Sequence, residues 1–200
     1  MFFIDAHKIG KRFSNEWIFR NLTYTFEEGK RYALVGPNGS GKSTLLKCLS
    51  GIMALSEGKI SYSNISPEHL YRHINFVAPY SELPEEFTLE EFLKWYHSIK
   101  PFTISVHRLA EQTGLERSWG KPIKFFSSGM KQKLKLAIAF YSHASILMLD
   151  EPTSNLDEQN INWYNDLLKK NNLYQILIVA SNIETEILCC DEKILLQNFK

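Results

Sequence analysis

The chain has 200 residues, of which 44% are apolar, and carries 23 Lys+Arg against 22 Asp+Glu. This length supports one hydrophobic core and predicts a single domain over residues 1–200. With a net charge of only +1, the chain lacks the positive potential of a dedicated nucleic-acid-binding protein, so no nucleic-acid partner is expected. Apolar runs such as residues 176–180 are far shorter than the roughly 20 residues that span a bilayer. Because the N-terminus also lacks a signal-peptide pattern, a cytoplasmic protein is expected.

Two kinds of strand pattern occur along the chain. In the first 30 residues Leu22, Tyr24 and Phe26 alternate with other residues before a Glu28-Gly29 turn signal, which predicts antiparallel strands. Later runs are apolar on both faces, as parallel strands between helical layers are. These runs are residues 32–35, 146–149 and 176–180. Two further strands are predicted at residues 74–78 and 193–197.

Helical patterns separate these strands and predict an α/β fold. Thr88 followed by Glu91 fits a capping box at the start of one helix. The predicted helices are residues 43–50, 88–98, 129–141 and 157–170. We therefore predict a mixed, mostly parallel sheet core, an antiparallel N-terminal β subdomain and a helical subdomain near residues 79–138.

The strongest motif follows the predicted strand at residues 32–35 and has the pattern G-x-x-x-x-G-K-[ST] of a phosphate-binding loop. Glycines let main-chain N–H groups surround phosphate oxygens, and the following helix adds the positive end of its dipole. Lys42 is expected to reach the β and γ phosphates, Ser43 to ligate Mg²⁺ and Thr44 to begin the helix. The alternative is a plain glycine-rich turn. The predicted nucleotide-binding residues are Gly36, Pro37, Asn38, Gly39, Ser40, Gly41, Lys42, Ser43 and Thr44.

A pair of carboxylates follows the apolar strand at residues 146–149. Ligands of parallel sheets bind at the carboxyl ends of the strands. Asp150 is therefore expected to hold Mg²⁺ and Glu151 to polarise the water that attacks the γ phosphate. This predicts a P-loop NTPase that uses Mg²⁺ and a nucleotide. The chain has no N-K-x-D guanine motif, which disfavours a GTPase, and no Arg-rich lid, which disfavours a small-molecule kinase.

With these residues placed, the chain resembles the ATP-binding subunits of ABC transporters over essentially its whole length. Residues 126–130 resemble the family signature L-S-G-G-Q, although only Ser127 and Gly129 match it. The resemblance implies that these two residues cap the γ phosphate of ATP bound by a second copy of the chain. Taken alone, the segment predicts only a helix N-cap at Ser127.

Two weaker resemblances concern the edges of the site. Residues 154–157 are similar to the family's D-loop at the dimer interface, and Asp157 is also a candidate N-cap. Phe13, 23 residues before Gly36, resembles the aromatic residue that stacks on adenine. A core position for Phe13, or a role for nearby Trp17, is the alternative.

The family resemblance implies the partners and cofactors. Two copies, as a homodimer or a heterodimer with a related ATPase, would sandwich two ATP molecules with Mg²⁺. Separate membrane-spanning subunits would dock near the helical subdomain and place the chain on the cytoplasmic face of the membrane. In the family, those subunits choose the transported substrate.

Two family residues are replaced in this chain. Pro79 stands where a glutamine usually lies near Mg²⁺ and the attacking water, and Asn182 stands where a histidine usually follows a serine. The amide of Asn182 can donate to a γ-phosphate oxygen but cannot carry a positive charge. We therefore expect intact ATP binding and slow hydrolysis, with Glu151, Lys42 and Asn182 as the catalytic residues. Two other hypotheses stay open at this point: a soluble ATP-driven clamp or assembly factor, and a nucleotide-binding regulator with weak hydrolysis.

Overall fold

The structure, a computed structural model, describes residues 2–170 and 174–200. The described residues form the strands β1 (Phe3–Phe13), β2 (Glu16–Glu27), β3 (Arg31–Val35), β4 (Glu57–Tyr62), β5 (Ile74–Val77), β6 (Ile146–Asp150), β7 (Ile176–Ala180) and β8 (Glu192–Leu195). They form the helices α1 (Lys42–Leu49), α2 (Leu70–His73), α3 (Leu89–Ile99), α4 (Val106–Thr113), α5 (Ser128–Tyr141), α6 (Glu158–Lys170) and α7 (Glu184–Ile187). Strands and helices alternate along most of the chain, as predicted for an α/β fold.

A five-stranded sheet forms the centre of the molecule, with strand order β5-β6-β7-β3-β8 and parallel pairing throughout. Every residue of β6 and β7 is buried, as expected for strands covered on both faces. The predicted parallel core is confirmed. Since all five strands point the same way, the segments after β3, β5, β6 and β7 leave the sheet at one common edge.

The antiparallel strands form a second sheet in the order β2-β1-β4. Leu22 and Phe26 are buried and Tyr24 is half-buried, in line with the predicted alternation. Their core is continuous with residues of α1 and the parallel sheet. At Gly58, φ is +80° and an added Cβ would lie 2.3 Å from the carbonyl oxygen of Lys8, so glycine allows β4 to approach β1 closely.

A third apolar core lies between α3, α4 and one side of α5. The predicted capping box is present, because Thr88 Oγ1 accepts a bond from the Glu91 N–H and the Glu91 carboxylate accepts one from the Thr88 N–H. Helix α5 also packs Leu136 and Phe140 against the parallel sheet, so it connects the two regions. The grouping of residues 1–200 into one domain, with a helical subdomain near 79–138, stays a prediction.

The C-terminal strand is shorter than predicted. Strand β8 ends at Leu195, and a 3-10 helix covers Leu196–Phe199, so the prediction that Gln197 lies in the strand is wrong. The chain turns here because Leu196 is fully buried, and its Cδ2 lies 3.3 Å from the position of a Cβ at Gly41. Among the residues described, none of the helices combines the length and hydrophobicity that crossing a membrane requires.

Candidate functional site

The predicted phosphate loop lies between β3 and α1, at the carboxyl edge of the parallel sheet. Gly39 and Gly41 have φ values of +79° and +102°, and a Cβ at Gly41 would lie 2.4 Å from Ile18 Cγ2. Both positions therefore favour glycine. No described side chain caps the N-terminus of α1, which leaves its first N–H groups available to an anion. Helix α1 begins at Lys42, two residues before Thr44, which lies in its first turn.

Lys42 is folded back over this loop and is only 5% exposed. Its ammonium donates to the carbonyl oxygens of Gly36 at 2.7 Å and Pro37 at 3.3 Å. Burial lowers the pKa of Lys42, while the charges of Glu151 and Asp150 act in the opposite direction. None of the ion pairs found among the described residues includes Lys42. A buried cation held only by carbonyl groups is well placed to bind an anionic ligand.

Asp150 ends β6 and is 3% exposed. Burial raises its pKa, and a hydrogen bond from the Ser43 hydroxyl lowers it. Its Oδ1 is buried and has no partner among the described residues. The structure thus brings together Ser43 and Asp150, the two predicted metal ligands, as neighbouring oxygen donors. Oxygen donors of this kind suit Mg²⁺.

Glu151 follows Asp150 with an exposed side chain. Its φ is +43°, a left-handed conformation that is unfavourable for a residue with a side chain. The backbone is held there by a 2.9 Å hydrogen bond from the Glu151 N–H to the carbonyl of Ala180. The carboxylate therefore leaves the sheet edge beside Asp150 and faces solvent, where a water molecule can reach it.

Asn182 follows β7, the strand between β3 and β6. Its Nδ2 donates to Oδ1 of Asn38 in the phosphate loop at 2.9 Å. The structure therefore places this predicted catalytic residue directly against the loop. The contact joins two residues that are 144 positions apart.

The segment after β5 carries Pro79, which has no polar side chain to offer the site. The Lys135 ammonium donates to the carbonyl oxygens of Ala78, Pro79 and Ser81 at 3.3, 3.1 and 3.3 Å. Tyr80 lies between them and is 94% exposed. Contacts between this segment and α5 are therefore made by main-chain carbonyls.

The signature-like segment begins α5. Ser127 Oγ accepts a hydrogen bond from the Met130 N–H at 3.2 Å, which confirms the predicted N-cap. A Cβ at Gly129 would lie 3.0 Å from the carbonyl oxygen of Asn155, so the helix start packs closely on the D-loop-like segment. A cleft of about 450 Å³ lies here, and none of its lining residues among those described belongs to the phosphate loop.

Phe13 is the last residue of β1 and is 47% exposed. The Lys11 ammonium lies 5.2 Å from the centre of its ring. In this part of the chain it is Ile18 that contacts the phosphate loop, at Gly41. Stacking of Phe13 on adenine stays a prediction.

Several polar contacts around the site were not predicted. Gln132 of α5 is buried, and its Nε2 donates to the carbonyl of Pro152 at 2.8 Å. The Glu186 carboxylate, 1% exposed, accepts a 2.9 Å bond from the Thr153 N–H just beyond Glu151. For Gln132 the sequence does contain a signal, since a polar residue four positions before Leu136 interrupts the apolar face of a helix.

Comparisons with known proteins agree with this geometry. Residues 19–154 match the family model described as ABC transporter. The chain is 32% identical over 199 residues to YybJ of Bacillus subtilis, an uncharacterized ABC transporter ATP-binding protein, covering 94% of this chain and 89% of that one. It is 30% identical over 192 residues to the lantibiotic transport ATP-binding protein SrtF of Streptococcus pyogenes, covering 92% and 82%. A solved putative ABC transporter ATP-binding protein of Pyrococcus furiosus has the same fold, with a TM-score of 0.82, 21% identity and 99% coverage of both chains.

Proposed function

This chain belongs to the ABC transporter family as an ATP-binding subunit with ATPase activity, and we propose that its ATP site consists of residues 36–44, Asp150 and Glu151. The buried ammonium of Lys42 is the observation that supports this most strongly. It has carbonyl partners and no ion-pair partner among the described residues, and a triphosphate supplies the missing negative charge. The free N–H groups at the start of α1 provide further donors to the same phosphates.

Ser43 and Asp150 would hold Mg²⁺. The buried Asp150 Oδ1 without a partner and the neighbouring Ser43 hydroxyl support this assignment. When bound, Mg²⁺ neutralises part of the charge on the β and γ phosphates.

Hydrolysis is assigned to Glu151 as general base. Its carboxylate accepts a proton from the attacking water as oxygen bonds to the γ phosphorus and the bond to ADP breaks. Asn182 lies within reach of the phosphate loop and would donate its amide to the γ phosphate in place of its bond to Asn38. Because Asn182 carries no charge and Pro79 offers no polar side chain, turnover is expected to be slow.

Each complete site would need a second copy of this chain or of a related ATPase. The absence of phosphate-loop residues from the cleft at Ser127 and Gly129, within the part of the chain that the structure describes, supports this arrangement. In the dimer, Ser127 and the first N–H groups of α5 would face the γ phosphate bound by the partner.

An apolar groove supports docking of membrane-spanning subunits, which would hold the chain on the cytoplasmic face of a membrane. The groove has a volume of about 690 Å³ and lies between β5 and α3. Its lining includes Tyr71, Trp95 and Ile99, which are 61%, 47% and 61% exposed. Exposed aromatic and aliphatic side chains around a groove are typical of a protein-binding surface.

Calorimetric titration with Mg·ATP tests nucleotide binding. Lys42→Ala should weaken binding by about 2 kcal/mol, roughly thirtyfold, because hydrogen bonds to a charged group are lost. Lys59→Ala removes an exposed lysine of β4 and should leave the affinity unchanged. If folded wild-type protein gives no binding heat and Lys42→Ala behaves identically, the proposed site is wrong.

Co-purification from detergent-solubilised membranes tests the partner. We expect the tagged chain to retain a polypeptide with several membrane spans. Ile99→Asp should abolish this association by placing a charge in the groove, whereas Ile52→Asp should not, since Ile52 is equally exposed at 64% but lies outside the groove. Association with soluble proteins alone would instead favour the clamp hypothesis.

A further inference from the structure

The segment at residues 78–81, between β5 and the helical region, has an unusual set of partners. It forms a tight turn in which Ser81 N–H and Ser81 Oγ both donate to the Ala78 carbonyl, at 3.1 and 2.7 Å. Lys135 then donates to three of the four carbonyl groups of the segment, those of Ala78, Pro79 and Ser81. One side chain of α5 therefore holds nearly the whole backbone of the turn.

The surroundings of Lys135 disfavour its positive charge, so its ammonium depends on the contacts that it makes. Burial lowers the pKa of Lys135, and the nearby charge of Lys131 acts in the same direction. Lys131 is paired with Glu85, whereas Lys135 takes part in no ion pair among the described residues. The three carbonyl groups are thus the acceptors that compensate for the water lost by the half-buried ammonium.

The position of Lys135 connects two parts of the molecule. It lines the apolar groove beside β5 and also a polar cleft of about 430 Å³ that contains Pro79, Ser128 and Asn155. Gln132, three residues earlier in α5, donates to the Pro152 carbonyl just after the two carboxylates. Since residues three apart share one face of a helix, a single face of α5 binds the turn after β6 and the turn after β5.

We propose that Lys135 is a positioning residue that fixes residues 78–81 to α5, so that this segment and the helix that Ser127 caps move as one unit. Pro79 offers no side-chain donor, and the link from β5 to the helical region is made instead through the backbone and Lys135. The mechanical role deepens the proposed function and rests on it only where ATP turnover is concerned.

Hydrogen exchange of the nucleotide-free protein tests the fixation directly. Lys135→Met keeps the aliphatic stem and removes the donors, and exchange of the Ser81 amide should rise by about tenfold as the turn opens locally. Lys135→Arg, which restores charge and donors, should recover at least part of the protection. Lys133→Met is the matched control, because Lys133 is another half-buried lysine of α5 whose ammonium lies against the Trp163 ring; it should leave Ser81 exchange unchanged.

An exchange rate for Ser81 in Lys135→Met within twofold of wild type overturns the proposal. Should Lys135→Met fail to fold, Lys135→Gln takes its place, with an expected rise in exchange smaller than tenfold but above twofold. Again, no rise contradicts the proposal.

Steady-state kinetics tests the functional part. Lys135→Met should lower kcat for ATP by several-fold and leave KM within about twofold, because the phosphate loop is untouched. A rise in KM with an unchanged kcat would assign Lys135 to nucleotide binding and overturn the positioning role. If the protein bound no ATP at all, the proposed function would fail, while the exchange measurement would still decide what Lys135 does.

Discussion

The two ends of the site differ in what builds them. At β3, the phosphate loop is shaped by two left-handed glycines, and a buried lysine folds back on its carbonyl groups. At β5, on the far side of β6 and β7, the corresponding segment offers Pro79, and a lysine from another helix holds its backbone. Asn182 and the pair Asp150 and Glu151 lie between these ends.

This difference separates binding from turnover. In the proposed site, nucleotide binding at the β3 end uses main-chain N–H groups and the Lys42 ammonium. Hydrolysis would need particular side chains beside the γ phosphate, and the segments after β5 and β7 offer Pro79 and Asn182 there. Affinity and rate are therefore expected to respond to different substitutions.

The largest effect should come from Glu151→Gln. Loss of the general base should lower kcat by about 10²- to 10⁴-fold, while affinity for ATP is retained. Phosphate release under saturating ATP and a parallel calorimetric titration measure the two quantities. A kcat within threefold of wild type would show that another group activates the attacking water. The proposed separation of nucleotide binding at β3 from turnover would then be wrong.

Ser127→Ala should show whether the start of α5 acts on ATP or only caps a helix. Losing the N-cap should cost about 1 kcal/mol of unfolding free energy, and losing a hydrogen bond to a phosphate should lower kcat by about tenfold. Ser105→Ala is a matched control, because Ser105 Oγ caps α4 through the Arg108 N–H at 3.3 Å. Urea denaturation should show equal destabilisation in both variants, and phosphate release should fall only in Ser127→Ala. Equal turnover in the two would limit Ser127 to its structural role.

Asn182→His should raise kcat several-fold, because an imidazole at the loop adds a longer donor that can carry charge. The same substitution should leave the affinity for Mg·ATP nearly unchanged. Asn182→Ala serves as the control, since it also breaks the bond to Asn38 but adds no donor. If both variants raise kcat equally, release of Asn38 is the cause and the missing imidazole is not.

The smallest effect concerns the start of β5, where Lys100 donates to the carbonyls of Tyr71 and Ile74 at 3.3 and 2.8 Å. Burial lowers the pKa of Lys100 to about 8. Between about pH 8 and pH 10 the Lys100 amine therefore binds more protons in the unfolded chain than in the folded protein. The contribution of Lys100 to the free energy of unfolding thus rises with pH. Relative to Lys100→Met, wild-type protein should gain about 1 kcal/mol of unfolding free energy per pH unit over that range, as measured by urea denaturation. A constant difference would mean that Lys100 titrates normally.

Local sequence predicted most of the fold and the β3 end of the site. The phosphate loop, the capping box at Thr88 and the strands apolar on both faces depend on residues close together in the chain. The contact between Asn38 and Asn182, 144 positions apart, and the contact between Pro79 and Lys135, 56 positions apart, depend on which strands become neighbours. The hydrophobic periodicity of the sequence does not predict the order of the strands in the sheet. The sequence pattern extends the last strand through Leu196 for the same reason, because the contact of Leu196 with Gly41 joins distant parts of the chain.

The contact of Gly129 with the Asn155 carbonyl has a consequence for the evolution of any pairing between copies. The start of α5 and the D-loop-like segment, which would both face a neighbouring subunit, are in direct backbone contact at Gly129 and Asn155. A larger residue at Gly129 would displace the Asn155 backbone. A partner subunit must therefore fit the two segments together as one rigid surface. Substitutions that change which subunit pairs with this chain should then occur around this contact and leave Gly129 unchanged.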